Sequence, residues 1–178
     1  MKYLFIVVGD KPQAGKTTVG KYIAKKLNIP HMSTSDTIVD RVEKKIGLPS
    51  GTIKKIRATD PNAYRDMLIT EGDKMAAENY SPGVACLDVL NGTGGVVEGI
   101  RREKELADTC RVASKKGYKI YTVSVTRKNN IAGRDNTESA ILDNVDYAII
   151  NDSDVQSLLH RVDTIIDAVV ETVYLREG

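Results

Sequence analysis

The sequence has little of the chemistry that disulfides or a zinc site would require. It contains 178 residues, of which only two are cysteine and two are histidine. Neither Cys86 nor Cys110 belongs to a CxxC pair or lies near a histidine cluster. A disulfide framework and a zinc site are therefore not expected, and a reducing, cytoplasmic location is favoured.

Long hydrophobic runs and an excess of one charge are also missing. The apolar run in MKYLFIVVGD is too short for a signal peptide with its cleavage region, and no later segment approaches the length that crosses a bilayer. The net charge is +2, with acids and bases mixed along the chain. We therefore expect a soluble protein with neither nucleic-acid nor membrane partners. A homodimer is compatible with the sequence, and an anionic ligand would need only a local positive pocket.

What the sequence has is an alternation of short apolar runs and amphipathic segments. Strands are predicted at 3–8, 29–32, 95–97, 118–125 and 147–150, and helices at 15–27, at 102–116 and from 152 or 153 onward. Region 35–80 is predicted to be helical and partly detached from the sheet. Because strands that alternate with helices pair in parallel, we expect one three-layer α/β domain over 1–178.

The main chemical motif is VVGDKPQAGKTTV, residues 7–19, which lies between the first strand and the first helix. Gly15 would let the backbone approach a phosphate closely, and Lys16 would reach the β- and γ-phosphates. The hydroxyl of Thr17 would ligate Mg²⁺. The residues predicted to bind ATP are Gln13, Ala14, Gly15, Lys16, Thr17 and Thr18.

The entrance to this loop is irregular, because five residues separate Gly9 from Gly15 where four are usual. Either Asp10 adopts the turn conformation of the first glycine, or the loop has one extra residue. Pro12 also removes one N–H donor. The plain alternative is a glycine turn that begins an ordinary helix. The sequence GKTT directly after an N-terminal strand favours the nucleotide site.

Charged residues follow the third and fourth predicted strands, at the edge where parallel sheets bind ligands. In VVEGIRREKE, Glu98 would act through water on Mg²⁺, and Arg101 or Arg102 would hold an anionic group. In TRKNNIAGRDNTE, Arg127 and Arg134 would close over the reacting phosphates as part of a lid at 127–138. The alternative for both segments is a solvated, charged surface.

The middle region supplies candidates for binding the second substrate. Arg65, in AYRDMLITEGDKM, would point from its helix toward the acceptor of the phosphoryl group, as would Asp36 and Arg41 after the second strand. Each would more often be a surface residue, so only their positions favour the site. His31 and His160 lie far apart in the sequence, and neither is assigned a role.

These motifs resemble, in order along most of the chain, the P-loop nucleoside and nucleotide kinases, and most of all the deoxynucleoside monophosphate kinases of bacteriophages. GDKPQAGKTTVGKYIAKKL is similar to the family's phosphate loop and first helix, and HMSTSDTI to its second strand. YRDMLITEGDKMA resembles its arginine-bearing helix. In VVEGIRREKE, Arg101 and Glu105 match the family's third-strand motif, whereas Gly99 stands where an aspartate is usual.

The resemblance implies a five-stranded parallel sheet, a helical monophosphate-binding lobe at 35–80 and a short lid. It also implies Mg²⁺-dependent transfer of the γ-phosphate of ATP to a (deoxy)nucleoside monophosphate. Arg65 and Arg101, with Glu105 beside them, would bind the acceptor phosphate, and Asp36 its sugar or base. Lys16, Arg127 and Arg134 would stabilise the transferring group. The alternatives are another acceptor, such as dephospho-coenzyme A or a small alcohol, and an ATP-binding module without acceptor turnover.

Overall fold

The structure, a computed structural model, describes residues 2–9, 13–127 and 144–177. Its strands are β1 (Lys2–Gly9), β2 (His31–Ser33), β3 (Gly95–Glu98), β4 (Tyr118–Thr126) and β5 (Tyr147–Ile150). Its helices are α1 (Lys16–Leu27), α2 (Thr34–Ile46), α3 (Thr52–Thr59), α4 (Pro61–Ala77), α5 (Pro82–Leu90), α6 (Glu103–Lys115) and α7 (Val155–Glu177). The strands form one parallel sheet in the order β2-β3-β1-β4-β5. The predicted five-stranded parallel α/β fold is confirmed.

Strand β1 occupies the centre of the sheet and explains why its sequence is apolar without interruption. It pairs with β3 on one side and β4 on the other. Phe5 and Val7 face a core that includes α1 and α7, whereas Leu4 and Ile6 face a core that includes α5 and α6. A strand covered on both faces has no polar side, so the alternation of a half-exposed strand is absent.

The two outer layers are held by separate cores. Residues of α1 and α7 that pack on one face of the sheet are Val19, Ile23, Ala24, Leu158, Val162, Ile165, Ile166 and Val169. The residues of α7 in this list are all buried, although Val155 at the beginning of the helix is 61% exposed. Helix α5 covers the other face beside α6. Helix α5 was not predicted: Ser81 caps it, Pro82 occupies its first turn, and six consecutive residues of it are buried.

Helices α2, α3 and α4 form the helical region that the sequence predicts at 35–80. They share a small core made of Ile38, Val39, Ile53, Tyr64, Leu68 and Met75, with Ala85 of α5. Helix α3 lies in a segment that is polar and punctuated in sequence. The buried carboxylate of Glu43 accepts hydrogen bonds from the backbone N–H groups of Gly51 (2.9 Å) and Ile53 (2.7 Å), which fixes where α3 begins.

The helices within 13–127 and 144–177 all lack the combination of length and apolarity that a membrane span would demand.

Candidate active site

The loop between β1 and α1 has the backbone geometry of an anion-binding nest in the part that the structure describes. Gln13 has a φ of 64° and Gly15 a φ of 112°, both in the left-handed region. Gly15 stands directly before the first turn of α1. Left-handed residues that alternate with others turn successive N–H groups toward one point, and the helix N-terminus adds positive partial charge there. The predictions for Asp10 and Pro12 concern residues outside the described ranges.

Gly9 makes room for the lysine of this loop. A Cβ at Gly9 would lie 2.6 Å from the carbonyl oxygen of Val125 and 2.9 Å from Cγ of Lys16. No side chain fits between these two groups, so the aliphatic part of Lys16 lies against the end of β1. The lysine is therefore directed along the carboxyl edge of the sheet, where phosphates bind in such folds.

Asn151 fixes the loop from the other side. Its Nδ2 donates to the carbonyl oxygen of Ala14 at 2.9 Å, and its backbone N–H donates to the carbonyl of Thr126 at 2.7 Å. A Cβ at Gly15 would lie 3.0 Å from this Nδ2. The residue after β5 thus holds the phosphate-binding loop to the sheet. Sequence reasoning gave Asn151 no role, although a polar residue at a strand's carboxyl end was the available signal.

Thr17 and Glu98 form a side-chain link between α1 and the end of β3. The hydroxyl of Thr17 donates to Oε1 of Glu98 at 3.0 Å. Glu98 is only 5% exposed, and its Oε2 has no hydrogen-bond partner among the described residues. Hydroxyl and carboxylate oxygens are the ligands that Mg²⁺ prefers, and a buried carboxylate oxygen without a partner favours a cation nearby. The two residues therefore fit a magnesium site. No group of three His, Cys, Asp or Glu side chains in the described ranges adds a further cluster.

His31 also reaches Glu98. Its Nε2 lies 3.5 Å from Oε1 of Glu98, and the side chains of both residues are largely buried. The sequence alone gave no reason to bring them together, because the two are 67 positions apart and only the pairing of β2 with β3 aligns them.

A cavity of about 420 Å³ opens beside this edge, between α2, α4, α5 and α6. Its basic residues are Arg101, Arg102, Lys104 and Arg111, and its apolar walls include Ile38, Leu68, Ile69, Pro82 and Val84. Arg102 pairs with Asp73 of α4 at 2.5 Å and so bridges two sides of the cavity. Gly99, with a φ of 91°, would bring a Cβ to 2.5 Å from Oγ1 of Thr34, so the β3 and β2 ends meet tightly at the cavity's rim.

Some predicted acceptor residues lie at this cavity and others do not. Arg101 and Glu105 line it. Asp36, Arg41 and Arg65 are not among the described residues that line it. In the structure, Nε of Arg41 contacts Glu71 at 3.1 Å and its terminal nitrogen contacts Glu78 at 2.6 Å. These two ion pairs join α2 to α4.

Asp36, the other acceptor candidate on α2, has an ionic partner on the neighbouring helix. Its carboxylate pairs with Nζ of Lys54, on α3, at 2.7 Å. The contact links the first turn of α2 to the neighbouring helix, so Asp36 faces α3 rather than the described cavity. Arg65 is partly buried in the first half of α4.

Glu105 lines the cavity and also binds two backbone N–H groups. Its carboxylate accepts hydrogen bonds from the backbone N–H groups of Gly83 (3.1 Å) and Arg101 (3.4 Å). Burial raises the pKa of Glu105, and these two hydrogen bonds offset part of that rise. The glutamate therefore fixes the turn that presents Arg101.

Arg127 is exposed immediately after β4, at the same edge of the sheet. Arg134 and the rest of the predicted lid at 128–138 lie outside the described residues.

Solved structures with the same architecture are P-loop kinases. A gluconokinase from Sinorhizobium meliloti is 12% identical with a TM-score of 0.56, over 99% of this chain and 98% of that one. The APS kinase of Mycobacterium tuberculosis is 12% identical with a TM-score of 0.53, over 93% and 97%. The shikimate kinase of Aquifex aeolicus is 16% identical with a TM-score of 0.52, over 94% and 98%. At these identities the likeness establishes the fold.

Comparison by sequence finds a match over part of the chain. No curated protein matches this chain. A sequence profile described as AAA domain matches residues 11–108, which is more than half of the chain and includes the phosphate-binding loop, Glu98 and Arg101. This chain, with the fold of the P-loop kinases, therefore belongs to the AAA domain family.

Proposed function

We propose that this protein is a phosphotransferase that moves the γ-phosphate of ATP to a (deoxy)nucleoside monophosphate. One observation carries the proposal: the loop between β1 and α1 and a cavity with basic residues lie at the same edge of the sheet. The loop follows β1 and the cavity's Arg101 follows β3, and these strands are neighbours with Val7 opposite Glu98. Donor and acceptor would therefore meet without crossing the sheet.

ATP would bind by its phosphates. The N–H groups around Gly15 and the first turn of α1 would contact them, and Lys16 would add a positive charge. Thr17 and Glu98 would hold Mg²⁺, which when bound neutralises charge on the phosphates. The buried contact between Thr17 and Glu98 supports this assignment because it joins a hydroxyl and a carboxylate at the start of the helix that receives the phosphates.

The acceptor would occupy the cavity between α2, α4, α5 and α6. Its volume of about 420 Å³ falls within the usual range for small-ligand sites, which is about 300–1,000 Å³. Apolar walls from Ile38, Leu68 and Val84 would pack on a nucleobase, and Arg101 would hold the acceptor phosphate by paired hydrogen bonds. Mixed apolar and basic walls suit a ligand with one flat, apolar part and one anionic part.

The transfer would be direct, with no covalent enzyme intermediate. An oxygen of the acceptor phosphate would attack the γ-phosphorus of ATP, and ADP would leave with the bridging oxygen. Lys16 would stabilise the charge that gathers on the transferring group, and Arg127 and Arg134 would do so from the lid. Closing over both substrates would also exclude water, whose attack would waste ATP.

The test is ADP release from ATP and Mg²⁺ over a panel of nucleoside and deoxynucleoside monophosphates. Acceptor-dependent turnover with at least one of them is the expected result, and its absence with all of them would remove the acceptor assignment. Analysis of the product should show a nucleoside diphosphate.

A second candidate keeps the reaction and changes the acceptor to a small alcohol or dephospho-coenzyme A. It is favoured by the contacts of Arg41 and Asp36, which pair within the protein and leave fewer groups for a nucleotide. Turnover with an alcohol and none with monophosphates would establish it. Tight ATP binding with no turnover on any acceptor would instead indicate a binding module.

A further inference from the structure

We infer that His31 is a positioning residue for Glu98, and that Gly20 in α1 exists to make room for it. The inference rests on the proposed function, because it concerns how Glu98 is oriented toward the phosphate-binding loop. His31 is not among the described residues that line the cavity, so it would act through the carboxylate.

The strand register puts the two side chains on one face of the sheet. His31 pairs with Val96, and Ser33 pairs with Glu98, so residues 31, 96 and 98 point the same way. Val96 belongs to the core beneath α1. The imidazole and the carboxylate therefore share the space between the sheet and the first helix.

Two groups approach the same carboxylate oxygen within that space. The hydroxyl of Thr17 lies 3.0 Å from Oε1 of Glu98, and Nε2 of His31 lies 3.5 Å from it. Among the described residues, neither His31 Nε2 nor Glu98 Oε2 has a hydrogen-bond partner. A buried imidazole nitrogen without a partner is costly, and a shift of about half an ångström would give it a normal hydrogen bond to Oε1.

Gly20 keeps the imidazole in this position. A Cβ at Gly20 would lie 3.0 Å from Nε2 and 3.2 Å from Cδ2 of His31. Glycine inside a helix costs about 1 kcal/mol relative to alanine. In α1 the glycine stands at the position where the helix packs against His31.

Together, Thr17 and His31 would fix the Glu98 carboxylate through its Oε1. With Oε1 held by a hydroxyl on one side and an imidazole N–H on the other, Oε2 keeps a single direction, and it is the oxygen that lacks a partner among the described residues. Without the imidazole, the carboxylate is free to turn about its last bond. The affinity for Mg²⁺ in the complex with ATP would then fall, while contacts of the loop with the phosphates would stay.

The experiment measures ATP binding by calorimetry with and without Mg²⁺, in the absence of any acceptor. The quantity compared is the Kd of ATP without Mg²⁺ divided by its Kd with Mg²⁺. This ratio is measured for wild type, His31→Leu, His31→Gln and the control His160→Leu, which removes an exposed histidine of α7. We expect His31→Leu to lower the ratio roughly tenfold, within the range for residues that orient metal ligands. Metal-free ATP binding should stay within about twofold. His31→Gln should restore most of the ratio, since its amide also donates, and the control should match wild type.

Two results would overturn the inference while leaving the proposed function intact. One is an unchanged ratio in His31→Leu, and the other is an equal loss in His31→Gln, which would assign the effect to packing. If His31→Leu does not fold, Gly20→Ala decides: displacing the imidazole should lower the ratio in a folded protein, and an unchanged ratio contradicts the inference. A wild-type protein whose ATP binding ignores Mg²⁺ would overturn the proposed function, and the inference with it.

Discussion

The hydroxyl of Thr17 donates to the buried carboxylate of Glu98 at 3.0 Å, across 81 positions of sequence. One residue belongs to the first turn of α1 and the other ends β3, the strand beside β1. This contact supports the proposal that Glu98 belongs to the ATP site, beside the loop that follows β1.

Replacing that carboxylate should separate the metal's contribution from the rest of ATP binding. Glu98→Gln keeps the shape and removes the charge, so Mg²⁺ should no longer strengthen ATP binding. We expect turnover to fall about a hundredfold or more, or ~2.7 kcal/mol. Steady-state kinetics over a range of Mg²⁺ concentrations measures this. The control is Glu103→Gln at the exposed start of α6, and equal kinetics in the two variants would remove Glu98 from the site.

Lys16 should matter for the reaction far more than for folding. Lys16→Ala removes the positive charge nearest the loop, and we expect turnover to fall at least about a hundredfold, costing ~3 kcal/mol of transition-state binding. The melting temperature should change little. Lys21→Ala, one turn further along α1 and exposed, is the matched control. Near-normal turnover in Lys16→Ala would contradict the phosphate-binding role of the loop.

Asn151 should support both the loop and the fold. Asn151→Ala leaves the carbonyl of Ala14 without its donor, so we expect a loss of about 1 kcal/mol in the free energy of unfolding. ATP binding should weaken several-fold because the loop is less well fixed. Urea unfolding and calorimetry measure the two effects. Gln156→Ala, exposed in the first turn of α7, should change neither; unaltered ATP binding in Asn151→Ala would assign Asn151 to stability alone.

Arg101 should act on the acceptor and not on ATP. Arg101→Ala removes the paired hydrogen bonds to the acceptor phosphate, so its KM should rise about tenfold or more while the KM for ATP stays constant. Arg57→Ala, on the exposed surface of α3, is the control. A rise in the KM of ATP with no change in the KM of the acceptor would show that Arg101 binds ATP, which would contradict the assignment.

Glu71 should make the stability of the helical lobe depend on pH. Burial acts to raise its pKa, but the hydrogen bond from Arg41 and the charges of Lys45 and Lys74 outweigh this, and the pKa lies below its ordinary value of 4.5. A lowered pKa means that the charged form stabilises the fold above about pH 4.5. This stabilisation is lost as the pH falls through the folded-state pKa.

Glu71→Gln should therefore destabilise the protein at pH 7 by about 1–3 kcal/mol and make little difference near pH 3. Urea unfolding at both pH values measures this. Glu78 is the second partner of Arg41, and the side chain of Glu78 is 55% exposed. Glu78→Gln should therefore lower the free energy of unfolding at pH 7 by less than Glu71→Gln does. A difference between wild type and Glu71→Gln that is constant with pH would exclude the ion pair as its cause.

The sequence predicts the parts of the fold whose pattern is local. The strand at β1 is an uninterrupted apolar run, and β5 was located at its observed bounds, 147–150. Helix α5 escaped prediction because it is apolar on nearly all sides and short, so it has no amphipathic period. Helix α3 escaped because its start depends on Glu43, a side chain from the preceding helix.

In the candidate site too, only the residues that belong to local motifs could be predicted from the sequence. Lys16 and Thr17 follow from a motif, and Glu98 follows from its place after a strand. His31 reaches Glu98 only through the register of β2 on β3, and Asn151 reaches Ala14 only through the sheet order, neither of which a single sequence states. Nothing local to Arg41 shows that its partners lie 30 and 37 residues later, Glu71 on α4 and Glu78 directly after it.

The central position of β1 has a consequence for the order in which the living cell can build this site. β1 is translated before the other described strands of this sheet, and both its neighbours are made much later, β3 at Gly95–Glu98 and β4 at Tyr118–Thr126. Contacts so distant in sequence form slowly. A nascent chain that has not reached Thr126 therefore contains GKTT without the two strands that flank β1, so the loop after β1 takes its described shape only once β4 has been made.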